Sequence, residues 1–211
     1  MMQKIVIFDM DGTLIDSKKD ITISINHIRK KHYSLEPLSE SFVVEAINKE
    51  VRNLPKLFYG TEEYMSRDRE LFEEHYAKQC TQNPYLYDEL HETLEILHTR
   101  GVKLAVATNA PTKFAKLMLS SLNVVDMFGI ILGADKVSIS KPNPEMLYKI
   151  LEFYDYNHEQ DKAWMIGDNS KDVASADAAN IEALFATWGF ASKSEYKNTL
   201  KRPKEILDTV L

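Results

Sequence analysis

Two aspartates, Asp9 and Asp11, stand one residue apart directly after the apolar run KIVIF at residues 4–8. A continuous run of β-branched and aromatic residues is typical of a strand that is buried on both faces. Two carboxylates at the end of such a strand repel each other, and they require a cation or a shared proton. Gly12 follows them and permits a sharp turn out of the strand. The stretch therefore predicts a site that binds a cation or handles a proton.

Three further segments place polar residues after an apolar run or in a loop. Thr108 and Asn109 follow the apolar run KLAVA, Lys141 lies in the loop SISKPNPEM, and Asp168 follows AWMIG with Asp172 four residues later. In an open parallel sheet, ligands bind at the carboxyl ends of the strands. We therefore expect these residues to meet the first two aspartates at one edge of a sheet.

Three of these residues also have a purely structural interpretation when each is taken alone. Thr108 could cap the helix that follows it, Lys141 could be a solvated surface lysine, and Asp172 could be a first-turn acid that suits the helix dipole. The convergence of carboxylates, a hydroxyl and an ammonium on one edge is the observation that favours a site.

The residue types indicate Mg²⁺ and phosphate as ligands. Oxygen donors suit a hard cation such as Mg²⁺, which typically binds through a couple of carboxylates and a substrate phosphate. We expect Asp9 and Asp168 to bind Mg²⁺, with the backbone carbonyl of Asp11 as a third ligand. The charge of a phosphate would then be met by Mg²⁺, Lys141, the Thr108 hydroxyl and backbone amides.

Strand-like and helix-like segments alternate from residue 88 to the end of the sequence. This alternation implies right-handed crossovers, so the predicted fold class is α/β with a doubly wound parallel sheet and a Rossmann-like core. Between residues 16 and 80, apolar residues recur at helical spacing, which predicts an all-helical insert. The predicted domains are an α/β core of residues 1–15 and 84–211 and a helical cap domain of residues 16–83.

The composition limits the class of protein. The chain has 211 residues, 44% of them hydrophobic and 27% charged, which is typical of a globular protein. The net charge of −6 offers no general attraction to nucleic acid or to an anionic membrane. Cys80 is the single cysteine, so an intrachain disulfide is excluded. The apolar run near the start is too short for a signal sequence or a membrane span, and we expect a cytoplasmic protein. Oligomeric state is not predicted.

Four segments resemble, in order and position, the four motifs of the haloacid dehalogenase superfamily. They are DMDGTLIDS, the TN after KLAVA, the KP of SKPNP, and GDNSKD. The similarity continues through ADAAN and TWGF. A helical insertion directly after the first motif is similar to the subgroup that contains phosphoglycolate phosphatases and β-phosphoglucomutases. The resemblance implies a Mg²⁺-dependent enzyme that acts on a small phosphorylated metabolite.

The same resemblance implies a two-step phosphoryl transfer. Asp9 would be the nucleophile and would form an aspartyl-phosphate intermediate. Asp11 would act as general acid toward the leaving oxygen and then as general base for the hydrolytic water. Dehalogenases and phosphonatases of the superfamily lack an aspartate at the position of Asp11, so its presence favours phosphate esters.

The remaining motif residues would bind and position the reacting groups. Thr108 and the Asn109 backbone amide would hold the phosphoryl group, and Lys141 would neutralise charge on the nucleophile and the phosphate. Asp168 would bind Mg²⁺. Asp172 would orient Lys141 or the waters of the metal without binding the metal directly.

Substrate selection is expected to lie in the helical cap. Many related phosphatases carry a glycine-containing specificity loop there, whereas the corresponding stretch here, EAINKEVRN, has no glycine. Lys49, Arg52 and Lys56 could contact an anionic substrate, and a solvated basic face is the alternative interpretation.

Three other functions compete with a phosphatase acting on a small phosphate monoester such as phosphoglycolate or a sugar phosphate. A β-phosphoglucomutase-like mutase shares the core motifs. A phospho-acceptor signalling module also places acids, a threonine and a lysine at a sheet edge, but the helical insert and the acids of GDNSKD oppose it. A catalytically silent binding protein is disfavoured because each catalytic position is filled.

Overall fold

A computed structural model describes residues 2–49, 53–191 and 193–211. The chain divides into two compact units. One unit combines the chain up to Asp16 with Leu86–Leu211, and the other is Ser17–Tyr85. These boundaries fall one and two residues after the predicted ones.

The larger unit is built on a six-stranded parallel sheet, which confirms the predicted α/β class. Its strands in chain order are β1 (Lys4–Phe8), β4 (Lys103–Ala107), β5 (Ile130–Leu132), β6 (Lys162–Gly167), β7 (Glu182–Ala186) and β8 (Thr199–Leu200). Two short strands, β2 (Ile15–Asp16) and β3 (Tyr85–Leu86), form a separate two-stranded sheet.

The strand order of the large sheet is β5-β4-β1-β6-β7-β8. β1 is central and pairs in parallel with β4 on one side and with β6 on the other, as Phe8 lies opposite Val106 and Ile166. Residues Ile5–Phe8 are fully buried, as expected for an apolar run covered on both faces. The ends of β1, β4 and β6 therefore lie side by side.

Among the described residues, four helices precede or connect strands of this sheet, and a fifth follows the last strand. They are α5 (Leu90–Thr99), α6 (Thr112–Ser121), α7 (Glu145–Phe153), α8 (Ser170–Ala178) and α9 (Glu205–Val210), with 3₁₀ turns at Val125–Met127 and Ala134–Lys136. Buried side chains of α7 and α8, such as Ile150 and Ala176, pack with Ile7 and Met165 of the sheet. This apolar layer holds the helix starts near the strand ends.

The smaller unit is helical among its described residues, as the periodicity predicts. Its helices are α1 (Lys18–Tyr33), α2 (Glu40–Asn48), α3 (Leu54–Tyr59) and α4 (Ser66–Gln79). Ile25 and Ile28 of α1 pack with Val43, Phe58 and Leu71 of the other helices. The apolar residues at helical spacing in the stretch 40–58 belong to two helices, α2 and α3. Asn53 begins the second one, because its side chain accepts a hydrogen bond from the Lys56 amide.

The last strand, β8, was missed by the sequence analysis. Two paired residues are too few to show an alternating pattern, and β8 is recognised only from its pairing with Phe185 and Ala186 of β7. None of the helices among the described residues combines the length and apolar character that a bilayer crossing requires.

Candidate active site

Three neighbouring strands deliver the polar residues singled out in the sequence. Asp9 follows β1, Thr108 follows β4, and Asp168 follows β6. The Asp9 amide donates to the Ile166 carbonyl at 2.8 Å, and the Thr108 amide donates to the Leu132 carbonyl at 3.0 Å. The sheet ladder thus extends just past the strand ends and fixes the backbone of the site.

Lys141 connects two of the carboxylates. Its Nζ donates to Asp9 Oδ1 at 2.7 Å and to Asp172 Oδ1 at 2.6 Å, and only 2% of its side chain is exposed. Burial lowers the pKa of Lys141, but the charges of Asp172 and Asp9 outweigh burial and hold the pKa above its usual value. The lysine is therefore a permanent cation in the site and not a solvated surface residue.

Two further contacts fix the Asp172 carboxylate in addition to this ion pair. Its Oδ2 accepts from the Asn169 amide at 3.1 Å, which forms a reciprocal capping box at the start of α8. Gly167 leaves the space that this carboxylate occupies, since a Cβ at Gly167 would lie 2.2 Å from Asp172 Oδ2. The first-turn acid predicted from the sequence is thus both a helix cap and a partner of Lys141.

Asp168 carries a buried carboxylate oxygen that no described residue contacts through a hydrogen bond. Its Oδ1 accepts from the Thr13 hydroxyl at 3.4 Å, whereas Oδ2 has no hydrogen-bond partner among the described residues. Burial, together with the nearby charges of Asp9 and Asp172, raises the pKa of Asp168 well above its usual value. An oxygen in this state is suited to a cation.

The three carboxylates form a cluster that fits a divalent cation. One oxygen from each of Asp9, Asp168 and Asp172 lies within 4.8 Å of the other two. An all-oxygen donor set with an unsatisfied buried oxygen matches the preference of Mg²⁺. The predicted ligands were Asp9, Asp168 and the backbone carbonyl of Asp11, so the structure adds the Asp172 carboxylate to the cluster.

Asp11 lies in a tight turn that leaves β1. The Met10 carbonyl accepts from the amides of Thr13, Leu14 and Ile15, and the Gly12 amide donates to the Ile15 carbonyl. Gly12 has φ of +88°, which a residue with a side chain rarely adopts. The sharp turn expected after the aspartate pair is therefore present, and Asp11 lies within it.

Asn109 contacts the segment that carries Lys141. Its side-chain Nδ2 donates to the Lys141 carbonyl at 2.9 Å, and its Oδ1 accepts from the Lys141 amide at 3.1 Å. The backbone N–H and C=O of Lys141 are thus both bound by one side chain that lies 32 residues away in sequence. The sequence analysis assigned Asn109 only a backbone role, because a side-chain contact between distant loops has no local sequence signal.

The loop after β4 is anchored from the far side by Asp135. Asp135 Oδ1 accepts from the Thr112 amide at 2.6 Å and from the Thr112 hydroxyl at 2.7 Å. The Thr112 hydroxyl in turn accepts from the Gly133 amide at 2.9 Å. Thr108 is buried, and its hydroxyl accepts from the Ala110 amide at 3.1 Å. The N-cap of α6 is Pro111, so Thr108 does not cap this helix, and its hydroxyl contacts the turn that precedes it.

The structure thus brings Asp9, Lys141, Asp168 and Asp172 into direct contact or close proximity. Thr108 follows the strand next to that of Asp9, and Asn109 joins the lysine segment.

The basic residues considered for the helical unit have local partners where they are described. Lys49 Nζ lies 3.3 Å from Glu45, and Lys56 Nζ lies 2.6 Å from Glu62. Arg52 lies outside the described residues. The pairs are exposed, so they leave the solvated-face interpretation and the substrate-contact interpretation both open.

A parallel sheet whose carboxyl edge carries a lysine among three aspartates defines an α/β enzyme with a centre suited to anionic substrates. The chain belongs to the haloacid dehalogenase-like hydrolases, because the model of that family matches residues 6–186. The resemblance stated from the four motifs is confirmed, and so is the prediction of an enzyme of this family.

Curated relatives and solved structures agree with this assignment. The chain is 32% identical over 209 residues to the phosphoglycolate phosphatase of Aquifex aeolicus, covering 97% of this chain and 95% of the relative. It is 31% identical over 191 residues to the phosphoglycolate phosphatase of Yersinia pseudotuberculosis, covering 88% and 81%. A predicted phosphatase from Clostridium acetobutylicum superposes with a TM-score of 0.81 at 25% identity, covering 99% and 100%.

Proposed function

We propose that this hydrolase is a cytoplasmic, Mg²⁺-dependent phosphatase that cleaves a small phosphate monoester through an aspartyl-phosphate intermediate. The observation that carries the proposal is the ion pair of Lys141 with Asp9 and Asp172 beside the unsatisfied oxygen of Asp168. A buried ammonium and a cation site next to one carboxylate suit a group that must receive a phosphoryl anion.

Asp9 is the proposed nucleophile. One of its oxygens would attack phosphorus in line with the leaving oxygen, which breaks the phosphorus–oxygen ester bond and leaves the phosphoryl group on the carboxylate. Lys141 Nζ, at 2.7 Å from Asp9 Oδ1, would orient this carboxylate and reduce the repulsion between it and the incoming anion. The 13% exposure of the Asp9 side chain is consistent with access to a substrate.

Asp11 is the proposed proton shuttle. It would give a proton to the leaving oxygen in the first step and take one from the hydrolytic water in the second step. The Thr108 hydroxyl and the Asn109 backbone amide would hold the phosphoryl oxygens during both steps. Asp9 and Asp168, with the Asp11 carbonyl, would hold Mg²⁺, which when bound neutralises negative charge on the phosphoryl group.

The relatives support phosphoglycolate or a similarly small phosphorylated metabolite as the substrate. Both named relatives are phosphoglycolate phosphatases, and each match covers more than four fifths of both chains. A sugar phosphate is the second candidate. A phosphosugar mutase stays the alternative activity, because the same aspartates would serve it.

The test of the function is hydrolysis of a panel of phosphorylated metabolites in the presence of Mg²⁺. The panel contains phosphoglycolate, hexose phosphates, nucleotides, pyrophosphate and a chromogenic ester, and released phosphate is measured. We expect one small monoester to exceed the chromogenic ester in kcat/KM. Conversion of a sugar phosphate to its isomer without phosphate release would support a mutase, and a stable phosphoprotein without turnover would support a signalling module.

Substitutions of the two first-motif aspartates test the assigned roles. Asp9→Asn removes the nucleophile and should lower kcat by ~10³-fold or more. Asp11→Asn keeps the nucleophile but loses proton transfer, so kcat should fall by about 10²- to 10⁴-fold. Asp126→Asn, at an exposed aspartate outside the site, is the matched control and should leave kcat unchanged. Wild-type kcat in the Asp9 variant would refute the nucleophile assignment.

A further inference from the structure

The segment after β7, residues 187–191, has no role in the proposed chemistry, yet it contacts the turn that carries Asp11. The indole Nε1 of Trp188 donates to the Thr13 carbonyl at 2.9 Å. This hydrogen bond joins positions 175 residues apart in the sequence. Thr13 is fully buried, so its carbonyl depends on a protein donor.

Backbone packing holds the same two segments together. A Cβ at Gly189 would lie 1.5 Å from the Gly12 carbonyl oxygen, so the two backbones are in direct contact. A Cβ at Gly12 would lie 2.8 Å from the Phe190 ring and 2.5 Å from Asp168 Oδ2. Gly12 is therefore enclosed between the Phe190 ring and the Asp168 carboxylate. Neither Gly12 nor Gly189 can gain a side chain without a shift of its neighbours.

The turn that Trp188 contacts also reaches Asp168. The Thr13 hydroxyl donates to Asp168 Oδ1 at 3.4 Å. Thr13 thus accepts the Trp188 hydrogen bond through its carbonyl and donates to a proposed ligand of the cation through its hydroxyl.

We propose that Trp188 is a positioning residue, and that its hydrogen bond to Thr13 holds the turn of residues 10–14 in place against Asp168. Its effect on hydrolysis rests on the proposed function, whereas its effect on cation binding does not. Trp188 acts through Thr13 and Gly12 and does not itself react.

Loss of this hydrogen bond should affect the chemical step more than substrate binding. The turn carries Asp11, whose position matters when a proton moves in the transition state. The groups proposed to hold the phosphate are anchored by other segments. Thr108 contacts the Ala110 amide, Asn109 contacts the Lys141 backbone, and Lys141 contacts Asp9. We expect Trp188→Phe to lower kcat about fivefold to tenfold with KM changed by less than about twofold. The Mg²⁺ concentration for half-maximal binding should rise severalfold.

The second tryptophan of the chain supplies a matched control. Trp164 Nε1 also donates an indole hydrogen bond, to Glu182 Oε2 at 2.9 Å, but it lies four residues before Asp168 on β6, roughly 13 Å along the strand. Trp164→Phe therefore removes one indole hydrogen bond in the same unit, at a place that is distant from the turn. It should cost comparable stability in urea unfolding while leaving kcat and Mg²⁺ affinity unchanged.

Fluorescence gives a readout that is independent of catalysis. In Trp164→Phe, Trp188 is the only tryptophan, and its emission should change when Mg²⁺ is added to the protein in EDTA-treated buffer. In Trp188→Phe, the remaining Trp164 should show no change. If either variant fails to fold, 5-fluorotryptophan labelling of the unsubstituted protein replaces the measurement, and one of its two ¹⁹F resonances should shift with Mg²⁺.

Two results would overturn the proposal. The first is a Trp188→Phe variant with wild-type kcat and Mg²⁺ affinity and only reduced stability, which would make the tryptophan purely structural. The second is a Trp188 signal that does not respond to Mg²⁺ although Mg²⁺ binding is measured by calorimetry. If the unsubstituted protein hydrolyses no ester of the panel, the proposed function fails, but the Mg²⁺ titration still decides whether Trp188 is coupled to the cation site.

Discussion

At the residue scale, Lys141 is the charge that allows three carboxylates to share a buried site. Asp9 and Asp172 each contact its ammonium, and Asp168 lies near both of them. A buried ion pair contributes little to stability compared with apolar packing, but the removal of one partner leaves an uncompensated charge. The electrostatic arrangement of the site should therefore be visible in the stability of the protein as well as in its activity.

Replacement of this lysine should destabilise the fold strongly. Lys141→Met leaves Asp9 and Asp172 without their cation, and we expect a loss of about 3–5 kcal/mol in the free energy of unfolding. Lys149→Met is the control, because Lys149 forms an exposed pair with Glu145 at 3.0 Å and should change stability by less than about 1 kcal/mol. Urea unfolding in the presence of EDTA measures both variants. Equal effects would contradict a buried charge network.

Removal of Mg²⁺ and replacement of Asp168 should abolish the same contribution to the free energy of unfolding, the one that bound Mg²⁺ provides. Mg²⁺ at 100 times its dissociation constant should stabilise the wild-type protein by about 2.7 kcal/mol. Asp168→Asn should abolish this stabilisation by Mg²⁺. Without Mg²⁺, the variant should unfold at a higher urea concentration than the wild type, because Asp168 no longer repels the carboxylates of Asp9 and Asp172. Asp177→Asn, at an exposed position of α8, should keep the Mg²⁺ increment. An unchanged increment in Asp168→Asn would place the cation elsewhere.

At the element scale, the site depends on adjacent strands and on the anchoring of the loops after them. β1, β4 and β6 are neighbours in the sheet, so residues separated by more than 150 positions in sequence meet at one edge. The capping box of α8 and the Asp135 contact at the start of α6 then fix where the next helices begin. Loop anchors of this kind should contribute to stability in a pH-dependent way.

Asp135 provides such a test. Burial raises the pKa of Asp135, but hydrogen bonds from the Thr112 backbone and hydroxyl outweigh burial and hold the pKa below its usual value. A depressed pKa in the folded state means that the stabilisation is present above the unfolded value of about 3.9 and is lost as pH falls through the lower folded value. The stability difference between the wild type and Asp135→Asn should therefore be constant from pH 7 to 5 and shrink below pH 4.

Urea unfolding at pH 7, 5, 4 and 3 measures this difference. Asp126→Asn, at an exposed aspartate of the same unit, controls for the general effect of one lost charge. A difference for Asp135→Asn that stays the same down to pH 3 would show that the carboxylate is not the anchor of α6.

At the scale of the whole molecule, we propose that one unit carries the chemistry and that the other selects the substrate. The proposed catalytic and metal-binding residues belong to the unit formed by the chain up to Asp16 and Leu86–Leu211. The helical unit, Ser17–Tyr85, has its own apolar core around Ile28 and Phe58. Because each unit has a separate core, the helical unit can be exchanged without disruption of the sheet.

An exchange of the helical unit tests its predicted role as a cap. Residues 17–85 are replaced by the corresponding segment of the Aquifex aeolicus relative, and kcat/KM is measured over the panel of phosphate esters. We expect the order of substrate preference to follow the donor while Mg²⁺-dependent hydrolysis is retained. A preference that stays with the parent core would assign selectivity to the α/β unit instead.

The sequence by itself determined the candidate site residues and the class of fold. Asp9, Thr108 and Asp168 follow long buried apolar runs, and such runs are readable because burial on both faces excludes polar residues from the strand. The alternation of strands and helices then placed the three residues at one edge, because strands joined by helical crossovers run parallel and end on the same side of the sheet. Short elements such as β8 escaped prediction, because two residues carry too little pattern.

The tertiary structure alone decided which groups support these residues. The Asn109 side chain on the Lys141 backbone, the space that Gly167 leaves for Asp172, and the indole of Trp188 on Thr13 all join segments that are distant in sequence. Periodicity and motif spacing report only on neighbours along the chain, whereas these contacts depend on the separation of whole strands and loops in space. The sequence therefore identified the groups that we propose to react, and the folded sheet determined what holds them in place.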